Sequence, residues 1–282
     1  MRFLLTAFLL AIGCTGGDRI VVGSKNFTEQ RILGELLAQT VESLGLPVER
    51  RLDLGGTFVC DAAIRAGQID MYVEYTGTAL TAILKEPPGG TPAEVLARVR
   101  KAYEPAGLVW TAPLGFDNTF ALVIRSEPGV RTISDIVPRA KSWRAGFGYE
   151  FMERADGYPG LARTYGLEFK ETRIMDLGLL YRALVENKVD IVAGNATDGL
   201  IEHLKLTVLS DDRHYFPPYE GAPVVRQVIV SRYPAVAAAL ERLGSKLPAE
   251  TMRRLNYAVD GEHRDPADVV REFRVNTGPG NG

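Results

Sequence analysis

The amino-acid sequence predicts an α/β fold made of two lobes whose sheets are mainly parallel. From residue 19 onward, short apolar strands alternate with longer segments of helical periodicity. In addition, residues 62–78 and 182–199 share one pattern when Asp70 is aligned with Asp190: a helix, a tight turn, an apolar–Asp pair and a strand. This similarity indicates two related lobes, although two unrelated βα units would also produce it.

The first strand and helix are predicted at the start of this pattern. Residues 19–23 form a short apolar strand, and Asn26 is placed to cap the next helix with Glu29 in the capping-box position. Apolar residues then recur at helical spacing, at Leu33, Leu36, Leu37, Val41 and Leu44. The helix is expected to end at Gly45, before a proline.

The following elements continue the alternation. Residues 48–54 are predicted to form a strand and residues 57–66 a helix, while the strand 71–75 leads directly into two threonines. The sequence Thr-Pro-Ala-Glu at 91–94 is typical of a helix start, with a cap, a proline and an acidic third residue. After Val224 we expect a strand and three helices.

The chain is expected to pass between the lobes twice. It leaves the first lobe near residues 119–125 and returns near residues 216–222, where two prolines and two tyrosines suit a stiff connector. The predicted boundaries give lobe one residues 19–121 and 221–282, and lobe two residues 122–220. Two connecting segments of this kind permit closure of the lobes around a ligand.

The N-terminal segment, residues 1–18, is predicted to be a signal peptide with a lipobox and a short linker. An 11-residue apolar stretch follows Arg2, which is too short to span a bilayer, and it ends at Cys14. Cys14 is the expected lipidation site, although Ala11 differs from the usual leucine and a plain signal peptide is the alternative. The protein is therefore expected to be exported to the periplasm or cell envelope. Cys60 is expected to be a buried thiol.

The composition offers little support for catalysis or nucleic-acid binding. The net charge is −2, and no basic tract is present. None of the three histidines has spaced partners typical of a metal site, and the common hydrolase, protease and nucleotide-binding motifs are absent. The sequence therefore predicts a non-enzyme without metal or cofactor.

Several motifs, in order along the chain, resemble the substrate-binding proteins of glycine betaine/choline/carnitine ABC transporters, the quaternary-amine osmoprotectant family. They are VGSKNFTEQRILGEL, LGGT, IDMYVEYTGTAL, FMERADGYPGL, TDG and FPPYEGAPVVR. The resemblance implies a two-lobed periplasmic-binding-protein fold of type II, with a ligand cleft between the lobes and a two-strand hinge. It also implies a monomer that delivers a quaternary amine or zwitterion to the transmembrane subunit of an ABC permease.

The resemblance further implies a set of ligand-binding residues. In relatives, aromatic rings surround the methylated cation, while a lysine, a threonine and an arginine meet the carboxylate. The matching positions are Lys25, Tyr75, Thr78, Phe120, Arg154, Asn195 and Tyr219. Phe120 and Asn195 replace tyrosines, so the box has at most three aromatic sides. This favours either weak betaine binding or a different ligand, such as a ring-bearing betaine like ergothioneine, or an amino acid.

Other interpretations of these residues, and of the function, remain open from the sequence. Tyr75 and Phe120 also suit an apolar core, Lys25 a solvated surface, and Asn195 a helix cap. Arg154 also suits a surface ion pair with a neighbouring acid, Glu150 or Asp156. The functional alternatives are an enzyme in the cleft of the same scaffold, or a sensory module that binds the same ligand.

Overall fold

The computed structural model describes residues 19–277 and has the predicted α/β class. Two five-stranded sheets form its framework, and the prediction that they are mainly parallel was wrong, because each has two parallel and two antiparallel strand pairings. In the first sheet the strands lie in the order β2, β1, β3, β10, β4: Val48–Gly55, Ile20–Lys25, Met71–Tyr75, Gly221–Arg226 and Leu108–Trp110. In the second the order is β7, β6, β8, β5, β9: Glu171–Ile174, Arg144–Phe147, Ile191–Asn195, Phe120–Arg125 and Leu206–Val208.

Helices separate these strands along the chain. The helices of the first lobe before the crossover are α1 Thr28–Glu42, α2 Thr57–Arg65, α3 Thr76–Thr78 with a π-helical continuation Ala79–Ile83, and α4 Pro92–Tyr103. The second lobe contains α5 Ile133–Ala140, α6 Tyr149–Glu153, α7 Tyr158–Tyr165, α8 Leu177–Val185 and α9 Leu200–His203. The C-terminal helices are α10 Gln227–Arg232, α11 Pro234–Arg242, α12 Ala249–Asp260 and α13 Pro266–Thr277.

Three local predictions can be judged directly. The start of α4 is confirmed, because the Thr91 side chain accepts a hydrogen bond from the Glu94 N–H in a complete capping box. The capping role of Asn26 was wrong: Phe27 is the N-cap of α1, and the Glu29 side chain turns inward instead. Between β10 and residue 277 the chain forms four helices rather than three, because α10 and α11 are separated at Tyr233, just before a proline.

Each sheet has an apolar core on both of its faces. On the first sheet, one core packs against α1 and the C-terminal helices, and the other packs against α2 and α4. On the second sheet, one core packs against α5 and α7, and the other against α8 and α9. Because helices cover both faces of each sheet, only the ends of the strands are accessible. Ligands of α/β proteins bind at these ends.

The two sheets repeat one arrangement around Asp70 and Asp190. Asp70 accepts hydrogen bonds from the Val21 N–H at 2.8 Å and from Arg226 at the end of β10 at 3.0 Å. Asp190 accepts from the Arg144 N–H at 2.8 Å and from Arg125 at the end of β5. The alignment of these aspartates in the sequence therefore corresponds to equivalent positions in the two sheets, with β3 matching β8.

Two segments cross between the sheets side by side. Residues 111–119 lead from β4 to β5, and residues 209–220 lead from β9 to β10. They pair through an antiparallel bridge between Asp117 and Glu220, and the Asn118 N–H donates to the Tyr219 carbonyl at 3.0 Å. Since β5 begins at Phe120, the second sheet starts two residues before the predicted boundary at 122.

The predicted signal segment and Cys14 lie outside the described residues. Among residues 19–277, no helix combines the length and apolar character needed to cross a bilayer. Cys60 is fully buried on α2, as expected, and burial raises the pKa of its thiol to about 12.

Candidate functional site

The predicted site residues converge at the strand ends where the two lobes face each other. Lys25 ends β1, Tyr75 ends β3 and Asn195 ends β8. Phe120 begins β5, which runs antiparallel to β8, so it reaches the same edge of the second sheet. Tyr219 lies in the returning crossover, directly before β10.

Phe120 is the centre of an aromatic cluster. Its ring centroid lies 5.7 Å from that of Tyr219, 4.9 Å from that of Phe151 and 5.9 Å from that of Phe216. Across the sheet, Phe120 is paired with Asn195, so both side chains project from the same face. Tyr219 is 2% exposed, and its hydroxyl donates to Asp156 at 2.7 Å.

Tyr75 is held from both ends. Its hydroxyl donates to the Glu29 carboxylate at 2.6 Å, while the Lys25 ammonium lies 4.9 Å from its ring centroid. Phe27 stacks against the ring with a centroid separation of 6.4 Å. Tyr75 and Tyr219 belong to one buried apolar cluster, which Phe120 also contacts. The core interpretation of Tyr75 is therefore confirmed, and its contact with a ligand stays a prediction.

Lys25 is buried rather than solvated. Its Nζ donates to Glu74 Oε1 at 2.5 Å and to Thr57 Oγ1 at 2.8 Å. Burial raises the pKa of Glu74, although the adjacent Lys25 charge opposes this effect. The charge of the predicted carboxylate-binding lysine is therefore balanced by a buried acid.

Arg154 forms a buried ion pair, not a surface one. Its guanidinium donates to both oxygens of Asp156, at 2.9 and 2.5 Å, and to Thr78 Oγ1 at 3.2 Å. It also lies over the Phe120 ring, 5.1 Å from the centroid. Burial would raise the pKa of Asp156, but the hydrogen bonds and charge of Arg154 hold it below its ordinary value.

Asn195 takes part in a turn and does not cap a helix. Its backbone N–H donates to Asp198 Oδ2 at 2.8 Å, and its side-chain amide lies 3.5 Å from the other carboxylate oxygen. The next helix, α9, begins five residues later with Gly199 as its N-cap. Burial raises the pKa of Asp198 to about 6. The Asn195 amide is thus weakly held and stands beside the Phe120 ring.

Sequence reasoning missed two acids beside the predicted site residues, Glu29 and Glu74, and considered Asp156 only as a surface partner of Arg154. Glu74 and Asp156 neutralise the two predicted cations, and Glu29 binds the Tyr75 hydroxyl. Glu74 directly precedes Tyr75, and Asp156 follows Arg154 by two residues. This closeness in sequence was the signal that could have identified them as partners of the two cations. Glu29 gave a misleading signal, because its spacing from Asn26 matched a helix cap.

A cleft with a volume of about 680 Å³ borders one side of the site. The π-helical segment and the chain after it, up to residue 88, form its first-lobe wall, and residues 153–164 with Tyr215 form its second-lobe wall. Of the seven predicted site residues, only Arg154 lines this cleft. Within the described chain, no cluster of three or more His, Cys, Asp or Glu side chains is arranged to hold a metal ion.

Comparison with protein families gives a match over nearly the whole described chain. Residues 18–276 match the family model described as the substrate binding domain of the ABC-type glycine betaine transport system. This match agrees with the resemblance predicted from the sequence motifs.

Three relatives illustrate the range of ligands named for similar proteins. An ergothioneine transport permease/ergothioneine binding protein of Helicobacter pylori is 35% identical over 260 residues, which are 90% of this chain but 47% of that protein. The chain thus spans about half of its length. A carnitine transport binding protein of Listeria monocytogenes is 33% identical, covering 96% of this chain and 91% of that protein. A glycine-betaine-binding protein of Pseudomonas aeruginosa is 35% identical, with the same coverage.

Solved structures support the fold. The crystal structure of a glycine betaine/carnitine/choline ABC transporter protein has a TM-score of 0.76 and 30% identity, over 91% of this chain and 97% of that one. A structure of lactococcal OpuAC in its closed-liganded conformation has a TM-score of 0.67 over 92% and 96% of the chains, at 13% identity. The predicted periplasmic-binding-protein fold of type II is therefore confirmed.

Proposed function

The chain belongs to the family of substrate-binding domains of ABC-type glycine betaine transport systems, and from this we propose that it captures a quaternary amine or betaine between its lobes. Candidate ligands are glycine betaine, choline and carnitine. The protein then delivers the ligand to the transmembrane subunit of an ABC permease, whose own ATPase supplies the energy.

One observation supports this proposal most directly. The rings of Phe120 and Tyr219 pack against each other near the ends of β3 and β8, which are occupied by Tyr75 and Asn195. A quaternary ammonium has no N–H to donate, so ring faces and exclusion of water must hold it. Each ring contributes about 0.5–2 kcal/mol, and the three rings are supplied by both sheets and by the returning crossover. With the lobes closed, these rings would surround one cation.

The charges of the site favour a ligand that brings its own positive charge. Lys25 is balanced by Glu74 and Arg154 by Asp156, so the two cations leave no net charge to attract a free carboxylate. A carboxylate can still accept hydrogen bonds from Lys25, Thr78 or Arg154. The cationic head therefore dominates recognition, and a carboxylate adds directional contacts.

A ring-bearing betaine such as ergothioneine is the second candidate. The cleft of about 680 Å³ adjoins Arg154, which also touches Phe120, so a ligand held at the aromatic cluster has room for a larger group beyond the arginine. The half-buried amide of Asn195 offers a hydrogen-bonding partner for the N–H of a ring. A relative named for ergothioneine binding agrees with this candidate.

Export and membrane attachment complete the proposal. A binding protein of an ABC importer meets its ligand outside the cytoplasmic membrane, so we infer that the chain is exported and that Cys14 attaches it to that membrane through lipid. We propose a monomer with the lobe boundaries given above, with residues 120 and 121 belonging to the second lobe. Transport rather than catalysis implies that the bound ligand is released unchanged, which a turnover assay with each ligand would test.

The experiment is calorimetric titration of the purified protein, unfolded and refolded to remove any bound ligand. Glycine betaine, choline, carnitine and ergothioneine are titrated separately, and at least one is expected to bind at micromolar concentration, about −8 kcal/mol. Tyr75→Leu should weaken that binding, whereas Tyr149→Leu, at an exposed ring on α6, should not. A correctly folded protein that releases no heat with any of the four ligands would contradict the proposal.

A further inference from the structure

Glu29 is a buried carboxylate that contacts both lobes. It is 3% exposed near the start of α1, and its Oε1 accepts the Tyr75 hydroxyl at 2.6 Å. Its Oε2 forms a short hydrogen bond with Thr197, two residues after Asn195 in the second lobe. Asn118 of the outgoing crossover and Asn256 of α12 donate to the two oxygens at 2.8 and 3.2 Å. Glu29 is therefore joined to both lobes and to one crossover.

The four partners of Glu29 are a phenol, a hydroxyl and two amides, and none of them carries a positive charge. A buried carboxylate without a cationic partner is costly in its ionised form. Accordingly, burial raises the pKa of Glu29 to about 7, although the hydrogen bonds from Thr197 and Tyr75 oppose the shift.

The hydrogen-bond geometry also requires a proton on this group. Thr197 Oγ1 lies within hydrogen-bond distance of Glu29 Oε2 and 2.8 Å from Asn118 Oδ1. A hydroxyl has a single proton to donate, so two acceptors cannot both be satisfied. If Glu29 Oε2 carries a proton, it donates to Thr197, and Thr197 donates to Asn118. Exchanging the amide oxygen and nitrogen of Asn118 does not remove the need for a proton, because its oxygen would then face Glu29 Oε1 at 2.8 Å.

We propose that Glu29 is a positioning residue that takes up one proton from solvent as the lobes close on the ligand. In its neutral form it holds the Tyr75 ring in place and fastens Thr197 of the second lobe to the first. This inference rests on the proposed function, because it concerns the closure of the same ligand site. When the lobes open, Thr197 leaves, water reaches the carboxyl group, and the proton is released.

Other ionisable groups face Glu29 and define the controls. Asp198, after β8, adds a negative charge that raises the pKa of Glu29 further. Asp260 on α12 accepts a hydrogen bond from Thr28 beside Glu29. From β1 and β3, the Lys25–Glu74 pair faces the Tyr75 ring, and its charges balance each other. Asp260 also has a raised pKa, and its hydrogen bond with Thr28 joins two helices of the first lobe, so its amide variant is the matched control.

The test is the dissociation constant for choline, which has no group that titrates in this range, between pH 5 and pH 8.5. A closed-state pKa near 7 and an ordinary open-state value predict wild-type affinity about tenfold weaker at pH 8 than at pH 6. Glu29→Gln keeps a neutral donor and should bind with little pH dependence, at close to the wild-type affinity at pH 6. Asp260→Asn should keep the wild-type slope. A wild-type affinity that is constant with pH, or a slope that Glu29→Gln retains, would overturn the inference.

A second measurement separates this inference from the proposed function. If no quaternary amine binds, the proposed function fails, but the proton on Glu29 can still be followed by thermal unfolding. The folded-state pKa lies above the ordinary value, so the wild type should gain stability relative to Glu29→Gln as pH falls from 8 through 7 toward 5. A stability difference that stays constant over this range would overturn the role of Glu29 independently of any ligand.

Discussion

Asn195 lies directly opposite Phe120 on the neighbouring antiparallel strands β8 and β5. Residues in this relation have Cβ atoms about 5 Å apart on one face of the sheet, so the Asn195 amide stands where a second ring could flank a ligand beside Phe120. The proposed cation box would therefore lack a ring on the β8 side, because of the side chain at position 195 and not because of the backbone.

The first prediction concerns that side of the box. Asn195→Tyr should add a ring next to Phe120 and increase the affinity for choline or glycine betaine. One additional cation–π contact contributes about 0.5–2 kcal/mol, which corresponds to about 2- to 30-fold. Calorimetric titration of the variant and the wild type would measure the change.

Asn195→Gln is the control, because it keeps an amide and adds no ring. It should leave the affinity for small trimethylammonium ligands within about twofold of the wild type. Ergothioneine should respond in the opposite direction to Asn195→Tyr, since the added ring fills space and removes the amide. Equal effects of the tyrosine and glutamine variants on choline would show that position 195 does not border the cation.

The second prediction concerns Gly77, on which the position of Tyr219 depends. A Cβ at Gly77 would lie 2.5 Å from the Pro218 carbonyl oxygen and 2.8 Å from the Tyr219 ring, so the returning crossover must move. Gly77→Ala should therefore destabilise the fold by about 1–3 kcal/mol and also weaken ligand binding. Urea unfolding and titration of the same variant would measure the two effects.

Gly178→Ala provides the matched control at an exposed position of a helix. No atom lies within 4 Å of the added Cβ at this position near the start of α8. Since alanine is a better helix former than glycine, this variant should be neutral or slightly more stable, by up to about 1 kcal/mol, with unchanged binding. Wild-type affinity in Gly77→Ala would mean that Tyr219 does not contact the ligand.

The fold was largely predictable because its signals are local and periodic. The apolar–Asp pairs at Asp70 and Asp190 recur in sequence because each carboxylate accepts a backbone N–H of the neighbouring strand in its own sheet. The cap of α4 was predicted for the same reason, since both partners lie within four residues. Such patterns arise from short-range geometry, which a sequence displays directly.

The site was predictable only in part, because its chemistry depends on contacts between distant residues. The motifs located Lys25 and Arg154, but not the burial that requires Glu74 and Asp156 as their partners. Glu29 satisfied a local capping pattern, yet its partners come from residues up to 227 positions away. A local pattern cannot show which of two possible partners a carboxylate chooses, since the choice depends on tertiary packing.

The third prediction concerns the reactivity of Cys60. Burial on α2 raises the pKa of this thiol to about 12, so at pH 8 the thiolate form is rare and shielded. In a Cys14→Ser background, the native protein should react with a maleimide or a disulfide reagent at least about 100-fold more slowly than the urea-unfolded protein. Rapid labelling of the native form would contradict the burial of α2 against the first sheet.

The fourth prediction concerns the buried pair of Arg154 and Asp156. Removing one partner leaves the other charge buried, so Arg154→Ala should destabilise the protein by about 3–5 kcal/mol at pH 7. Without the arginine, burial raises the pKa of Asp156. Lower pH then neutralises Asp156 and should reduce the destabilisation of Arg154→Ala relative to the wild type. Thermal unfolding between pH 5 and pH 8 would measure this dependence.

The double variant Arg154→Met/Asp156→Asn removes both charges and separates stability from recognition. It should be more stable than Arg154→Ala, because Thr81 and Tyr219 can still donate to the amide oxygen at position 156. If Arg154 meets a ligand carboxylate, this variant should lose about tenfold or more in affinity for glycine betaine while choline binding changes little. Equal losses for the two ligands would exclude Arg154 from carboxylate recognition and leave it as a support for the Phe120 ring.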